Sequence, residues 1–269
     1  MLTLGAPPHR REPSHRQQCG GSRIFALAPL TRGSVTSHPT RPIHNRLLEV
    51  LPPMVRARLL EKCESVPLAA AQTLYEPGDA IHHIHFPTSA FVSLVSTADG
   101  HDGLQTGLVG NEGALGYELS LGVQSAPLRA FVQGGGLAWR LTAQSFAQEL
   151  EHNTMLRRVL NRYVCVLLME LGRSGLCNRF HLIEERLARW LLTTQDCAHS
   201  AHLALTHEVL GRMLGVRRVG ITNAATALHE RRLIEYRRGA ITITDRQGLE
   251  NAACDCYRAN QRNYARLIS

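Results

Sequence analysis

The chain has 269 residues, of which 44% are hydrophobic and 19% charged. That length points to two domains with room for buried cores, and the longest unbroken apolar run, Val164 to Met169, is far too short to cross a bilayer. The net charge of +8 invites nucleic acid as a partner, while seven cysteines, an odd number with no CxxC pair, exclude a disulfide scaffold and suggest reduced thiols in a cytoplasm.

Residues 1–42 hold six of the twelve prolines and six Arg against Glu12, without apolar periodicity, and are expected to be a disordered basic tail. Such a tail either adds non-specific affinity for DNA or precedes the working start of the protein. Leu47, Leu48 and Leu51, then Val55, Leu59 and Leu60, predict two short amphipathic helices split by Pro52-Pro53. From Val66 to Leu141 the texture changes to short β-prone runs. These are Gln72 to Tyr75, Ile84 to Phe86, Phe91 to Val95, Leu104 to Val109, Ala130 to Gln133 and Leu137 to Leu141, separated by turns such as Asp99-Gly100. Their spacing predicts a β-roll or sandwich. His83 and His85 would share a strand face, as in the H-x-H that opens cupin metal sites. No carboxylate follows across Phe86 to Ala90, so no metal is expected; a cupin-like metal-dependent enzyme using this pair is the alternative reading.

Thr142 to Leu150 reads as a short helix, and Asn153 or Thr154 can cap a longer one. Leu156, Leu160, Tyr163, Leu167 and Leu171 recur in it close to an a/d seam, and Leu168 with three valines widens the stripe, so a second copy of the same helix is the expected partner. Gly175 would interrupt this helix and set a hinge at Leu176 to Phe180, before a helix from Asn178 to Leu192. Cys254 and Cys256 would point apart on a helix and are read as separate buried thiols.

The segment Thr206 to Gly239 carries seven Arg against three Glu. Thr206 is a good N-cap, Glu208 suits a first turn, and Gly215 can take the positive φ of a sharp corner. In a second helix Ile221, Ala224, Ala225 and Leu228 make one apolar stripe, leaving Arg218, Thr222 and Thr226 on the opposite face with Arg217 and Asn223 beside them. Ile234 to Tyr236 and Ile241 to Ile243 alternate around Arg237-Arg238-Gly239, a hairpin with a basic tip. Thr244 and Gln247 predict a capping box for a last helix reaching about Arg266.

Helix, turn, helix and basic hairpin in this order resemble the winged helix-turn-helix of the Crp/Fnr family of bacterial transcription regulators. Gly211 and Gly215 fall at its small positions, and Leu210, Leu214, Val216, Ile221 and Ala224 at its apolar ones. The preceding β-roll resembles the cyclic-nucleotide-binding domain, so the likeness covers roughly residues 45–255. It implies an α+β chain: a β-roll effector domain over 45–150, a dimerisation helix and hinge over 153–177, and a winged helix-turn-helix with C-terminal helix over 178–269. It implies base readout by Arg218 with Thr222 and Asn223, phosphate contacts from Arg217, Arg237 and Arg238, and Thr206 among the DNA contacts. Val219 and Asn223 stand where the Crp pattern has Glu and Arg, so the preferred DNA sequence should differ.

In the roll, Gly110, Glu112 and Gly113 fit the family's glycine-rich ligand segment. Leu128 and Arg129 stand where its Arg-Ser pair holds a cyclic phosphate, leaving Arg129 as a ligand candidate and cAMP not expected. The Fnr branch carries a spaced cysteine cluster that this chain lacks, so no iron-sulfur cluster is expected. The expected partners are double-stranded DNA, a second copy of the chain and RNA polymerase, in a bacterial cytoplasm. With no P-loop, dinucleotide fingerprint or nucleophile set, no catalysis is expected.

Overall fold

The computed structural model describes residues 44–98, 101–237 and 239–268; the basic tail, the Asp99-Gly100 turn and Arg238 lie outside the described residues. Asn45 starts the described chain with a buried side chain that works in two directions. Its Oδ1 accepts from Leu48 N–H at 3.0 Å and so caps α1 (Arg46–Glu49), while its Nδ2 donates to the carbonyls of Pro87 at 2.9 Å and Gly113 at 2.8 Å. The lead-in helix is thereby tied to the roll. Pro52-Pro53 ends it and opens α2 (Pro53–Glu61), because proline is tolerated in the first helical turn.

Seven strands follow: β1 (Glu64–Leu68), β2 (Thr73–Tyr75), β3 (His83–Pro87), β4 (Phe91–Ala98), β5 (His101–Val109), β6 (Arg129–Gly134) and β7 (Gly136–Thr142). They form two antiparallel sheets, ordered β1-β7-β3 and β2-β6-β4-β5. Leu68, Ile81, Val92, Leu94, Leu115 and Val132 fill one core of this β-roll. A second core gathers Leu47, Phe86, Phe146, Leu156, Leu160 and Tyr163, where α3 (Ala143–His152) and α4 (Thr154–Phe180) close over the roll.

Asn153 caps α4, accepting from Leu156 N–H at 3.0 Å, and the helix runs 27 residues, about 40 Å at 1.5 Å per residue. Two expectations about it are corrected. It passes through Gly172 and Gly175 without a break and stops at Phe180, so the turn toward the next helix falls at His181-Leu182. Glycine lowers helix propensity by only about 1 kcal/mol, which packing over the first half of a long helix readily offsets. The seam expected to meet a second copy is also mostly spent: Leu156, Leu160 and Tyr163 are buried against this chain's own roll and α3, and Leu167 is half-buried. Of the five, Leu171 remains exposed.

The C-terminal half contains α5 (Ile183–Ala198), β8 (His202–Ala204), α6 (His207–Leu214), α7 (Arg218–Glu230), β9 (Ile234–Arg237), β10 (Ala240–Ile243), α8 (Arg246–Ala252) and α9 (Cys256–Ile268). Strands β8-β10-β9 form a small antiparallel sheet. Strand β8 gave no periodic signal, being three residues long. The last helix is two rather than one: Asp245, not Thr244, caps α8 by accepting from Gly248 N–H at 2.9 Å, and the helix stops before Cys254. Helix α9 then leaves the C-terminal half and packs along α4, with Ile268 buried in the core of the roll and Tyr264 Oη donating to the Glu112 carbonyl at 2.7 Å.

Candidate nucleic-acid interface

Thr206 caps α6, its Oγ1 accepting from Val209 N–H at 3.2 Å. Gly215 ends α6 at φ 63°, the left-handed conformation that lets the chain double back into α7. At Gly211 a side chain has no room, since a Cβ there would stand 2.9 Å from the Val216 carbonyl. Gly211→Val should therefore wedge the corner open, lowering stability by about 1–3 kcal/mol in a thermal or denaturant melt.

Ile221, Ala224, Ala225 and Leu228 are buried in a core shared with Leu187, Leu191, Leu210 and Leu214. The other face of α7 is open: Arg217, Arg218, Val219, Thr222, Asn223 and Thr226 are all exposed. Among the described residues neither Arg217 nor Arg218 has an ion-pair partner, so their guanidinium donors are available to a ligand. Thr222 Oγ1 donates back to the Arg218 carbonyl at 3.1 Å and lies 3.1 Å from His207 Nδ1. His207 in turn stacks on Tyr236 of β9 with ring centroids 4.2 Å apart. Burial and then the charge of Arg218 push the His207 pKa down, favouring the neutral ring. This His207–Tyr236 pair, which joins the helix pair to the hairpin, was not legible beforehand: the two residues are far apart in sequence, and the run that holds Tyr236 does not say what it meets. Arg237 on the hairpin is exposed, 3.7 Å from Glu235.

Three of the ligand candidates of the roll, Gly110, Glu112 and Gly113, share one hydrogen-bonded loop, and Arg129 stands apart from them. Glu112 turns back on its own loop, its Oε1 accepting from Gly110 N–H at 2.8 Å, and desolvation pushes its pKa up. Gly113 lies under the Tyr163 hydroxyl, leaving no space for a Cβ. Arg129 instead pairs with Glu76 at 2.7 Å. Glu112 borders a cavity of about 760 Å³ at the junction of β5, α4, α5 and α9, lined also by Arg46, Tyr163, Glu170, Trp190 and Tyr264; Arg129 does not line it. Of the expected Gly110, Glu112, Gly113 and Arg129 set, Glu112 alone borders this cavity. His83 and His85 do share β3, with ring centroids 6.1 Å apart. His85 is buried opposite Arg140, and burial first, then its charged neighbours, hold its pKa near 4. A guanidinium facing an imidazole disfavours a cation there.

A β-roll is thus joined by one long helix to a half that holds a helix-turn-helix and a short basic hairpin. Residues 185–252 match the model of the Crp-like helix-turn-helix domain. Similar solved structures include FixK2 from Bradyrhizobium japonicum, 16% identical at a TM-score of 0.61, covering 71% of this chain and 98% of that one. A putative Crp/Fnr-family regulator from Eubacterium rectale is 15% identical at 0.60, covering 79% and 97%. CLP of Xanthomonas campestris, described as a c-di-GMP responsive global regulator, is 15% identical at 0.58, covering 71% and 99%. No curated protein matches the chain by sequence. The chain thus carries a Crp-like helix-turn-helix domain within the fold of the Crp/Fnr transcription regulators.

Proposed function

We propose that this protein is a homodimeric, sequence-specific DNA-binding transcription regulator whose β-roll half biases the placement of two recognition helices. The open face of α7 carries this reading: a helix of this kind fits the major groove of B-DNA, and here it presents Arg218, Thr222 and Asn223 with its other side sealed into a core. Arg218 reads a base edge, while Arg217 and Arg237 hold phosphates. A duplex of random sequence titrated with the full chain at low ionic strength should be retained, and retention should fall steeply with added salt. No retention even in dilute buffer contradicts the reading.

The dimer face belongs on the far half of α4. Leu168 is 63% exposed, Leu171 51% and Leu176 48%, and open space lies beside Gly172 and Gly175. An apolar strip of this kind on a helix suits close approach of a second helix. A two-fold pair then sets its α7 helices about 34 Å apart, one turn of duplex.

The effector site belongs in the junction cavity, whose volume falls within the usual range of about 300–1,000 Å³ for small-molecule sites. It touches the roll, the long helix and the DNA-reading half at once, so an occupant can shift their relative placement. Glu170 on its wall is raised to a pKa of about 7 by burial, and further by Glu112. The folded state therefore holds a proton that the unfolded chain releases near 4.5. Stability from this group is full below that pH and is lost as pH rises through about 7. Glu170→Gln removes the loss: its melting temperature should exceed the parent's by about 3–6 °C at pH 8 and nearly match it at pH 4.5.

A further inference from the structure

Four potential ligand residues meet where α4 ends. Cys177 and His181 stand one helical turn apart, and the His181 N–H donates to the Cys177 carbonyl. Cys254 lies in the non-helical break between α8 and α9, and Cys256 is the first residue of α9. Because of that break, the two thiols do not diverge as they would on a continuous helix, which corrects the reading of them as separate. Cys177, Cys254 and Cys256 are 2%, 6% and 2% exposed. The ligand atoms of all four residues lie within 4.8 Å of one another. Cys177 Sγ is 3.6 Å from Cys254 Sγ, and Cys256 Sγ is 3.5 Å from His181 Nδ1.

We propose that these four side chains close around a single zinc ion as a site of three thiolates and one imidazole. Tetrahedral zinc with bonds of about 2.3 Å to sulfur and about 2.0–2.1 Å to nitrogen has ligand-to-ligand edges of about 3.8 Å (S to S) and about 3.6 Å (S to N). The Cys177–Cys254 and Cys256–His181 separations of 3.6 and 3.5 Å fall close to these values. A polynuclear iron–sulfur core interposes several irons and sulfides, so it needs its terminal thiolates farther apart than this cluster holds them. Loading forms three Zn–S bonds and one Zn–N bond, releases the thiol protons and changes no oxidation state; His181 keeps its proton on Nε2. Three thiolates around a dication leave one net negative charge. Arg186 and Arg189 of α5 act on these thiols electrostatically and have buried nitrogens without a hydrogen-bond partner, which supplies the compensating charge.

The site joins the end of the long helix, the turn into the DNA-reading half and the root of α9, which returns to the roll. Occupancy therefore ties the end of α4 to the root of α9 and stiffens the junction between the two halves. This regulatory consequence rests on the DNA-binding reading; the metal site itself does not.

The test is metal analysis of the purified full chain after zinc loading and gel filtration, together with the spectrum of the cobalt-substituted protein. About one zinc per chain is expected, absent from a C254S–C256S variant and reduced in His181→Ala, with tetrahedral thiolate–cobalt absorption in the parent. The cobalt spectrum needs no variant and stands if a variant fails to fold. Retention of no zinc, an unchanged zinc content in the cysteine variant, or a Cys177–Cys254 disulfide in place of metal overturns the site. Chelation should lower affinity for duplex at least tenfold; a zinc-loaded chain that ignores DNA overturns the function and leaves the site standing.

Discussion

If the proposed dimer forms through the far half of α4, replacing Leu168 and Leu171 together by aspartate should leave a folded monomer. Both side chains face solvent on α4, so the melting temperature should barely move, as for most surface substitutions. Each charge would have to be desolvated to rebuild the helix pair, which costs several kcal/mol without a partner. Binding to a duplex with two half-sites then loses the second, intramolecular contact, and affinity should drop on the order of 10² to 10⁴-fold. Sedimentation velocity and anisotropy titrations read the two effects separately. Leu160→Ala is the contrasting variant: Leu160 is buried in the protomer's own core, so it should cost about 2–5 kcal/mol of stability. A double aspartate variant that stays dimeric would contradict the assignment.

Arg218→Ala should weaken specific binding by about 1–3 kcal/mol, roughly 5- to 150-fold, and relax preference at one base position in each half-site. The size follows from losing a guanidinium that can meet a base edge with two parallel donors, a geometry no neighbour on α7 can supply. Arg237→Ala should behave differently. Its side chain lies on the hairpin rather than the helix, so its loss should weaken all sequences alike and reduce the salt slope by about one. An Arg218 variant with unchanged base preference would contradict the division of roles. Because Thr222 is held between the Arg218 carbonyl and His207, its hydroxyl is positioned before any duplex arrives.

The reading half was legible in the sequence because its signals are local. Thr206 caps, Gly215 turns, and the stripe Ile221, Ala224, Ala225 and Leu228 declares its own buried side. The β-prone runs likewise announced six of the roll's seven strands; β1 (Glu64–Leu68) was not among them. Periodicity on α4 showed that the helix has an apolar face, but not what covers it. Leu156, Leu160 and Tyr163 fitted a seam between two copies as well as they fit the roll of their own chain. Contacts between residues distant in sequence were beyond reach for the same reason. Helix α9 gives no sign in its residues that Tyr264 will reach the Glu112 carbonyl, and Arg129 gives none that Glu76 rather than a ligand will claim it. The cysteines show it most plainly. Cys254 and Cys256 would diverge on the continuous helix the sequence suggested, and only the break before Cys256 turns both thiols toward Cys177 and His181.

The most direct test of the account is selection of bound sequences from a random duplex pool by the full chain. Two α7 helices related by a two-fold axis should enrich a near-palindromic site whose half-sites are centred about 10 base pairs apart. Recovery of no preferred sequence, or of a single unpaired half-site, would contradict it.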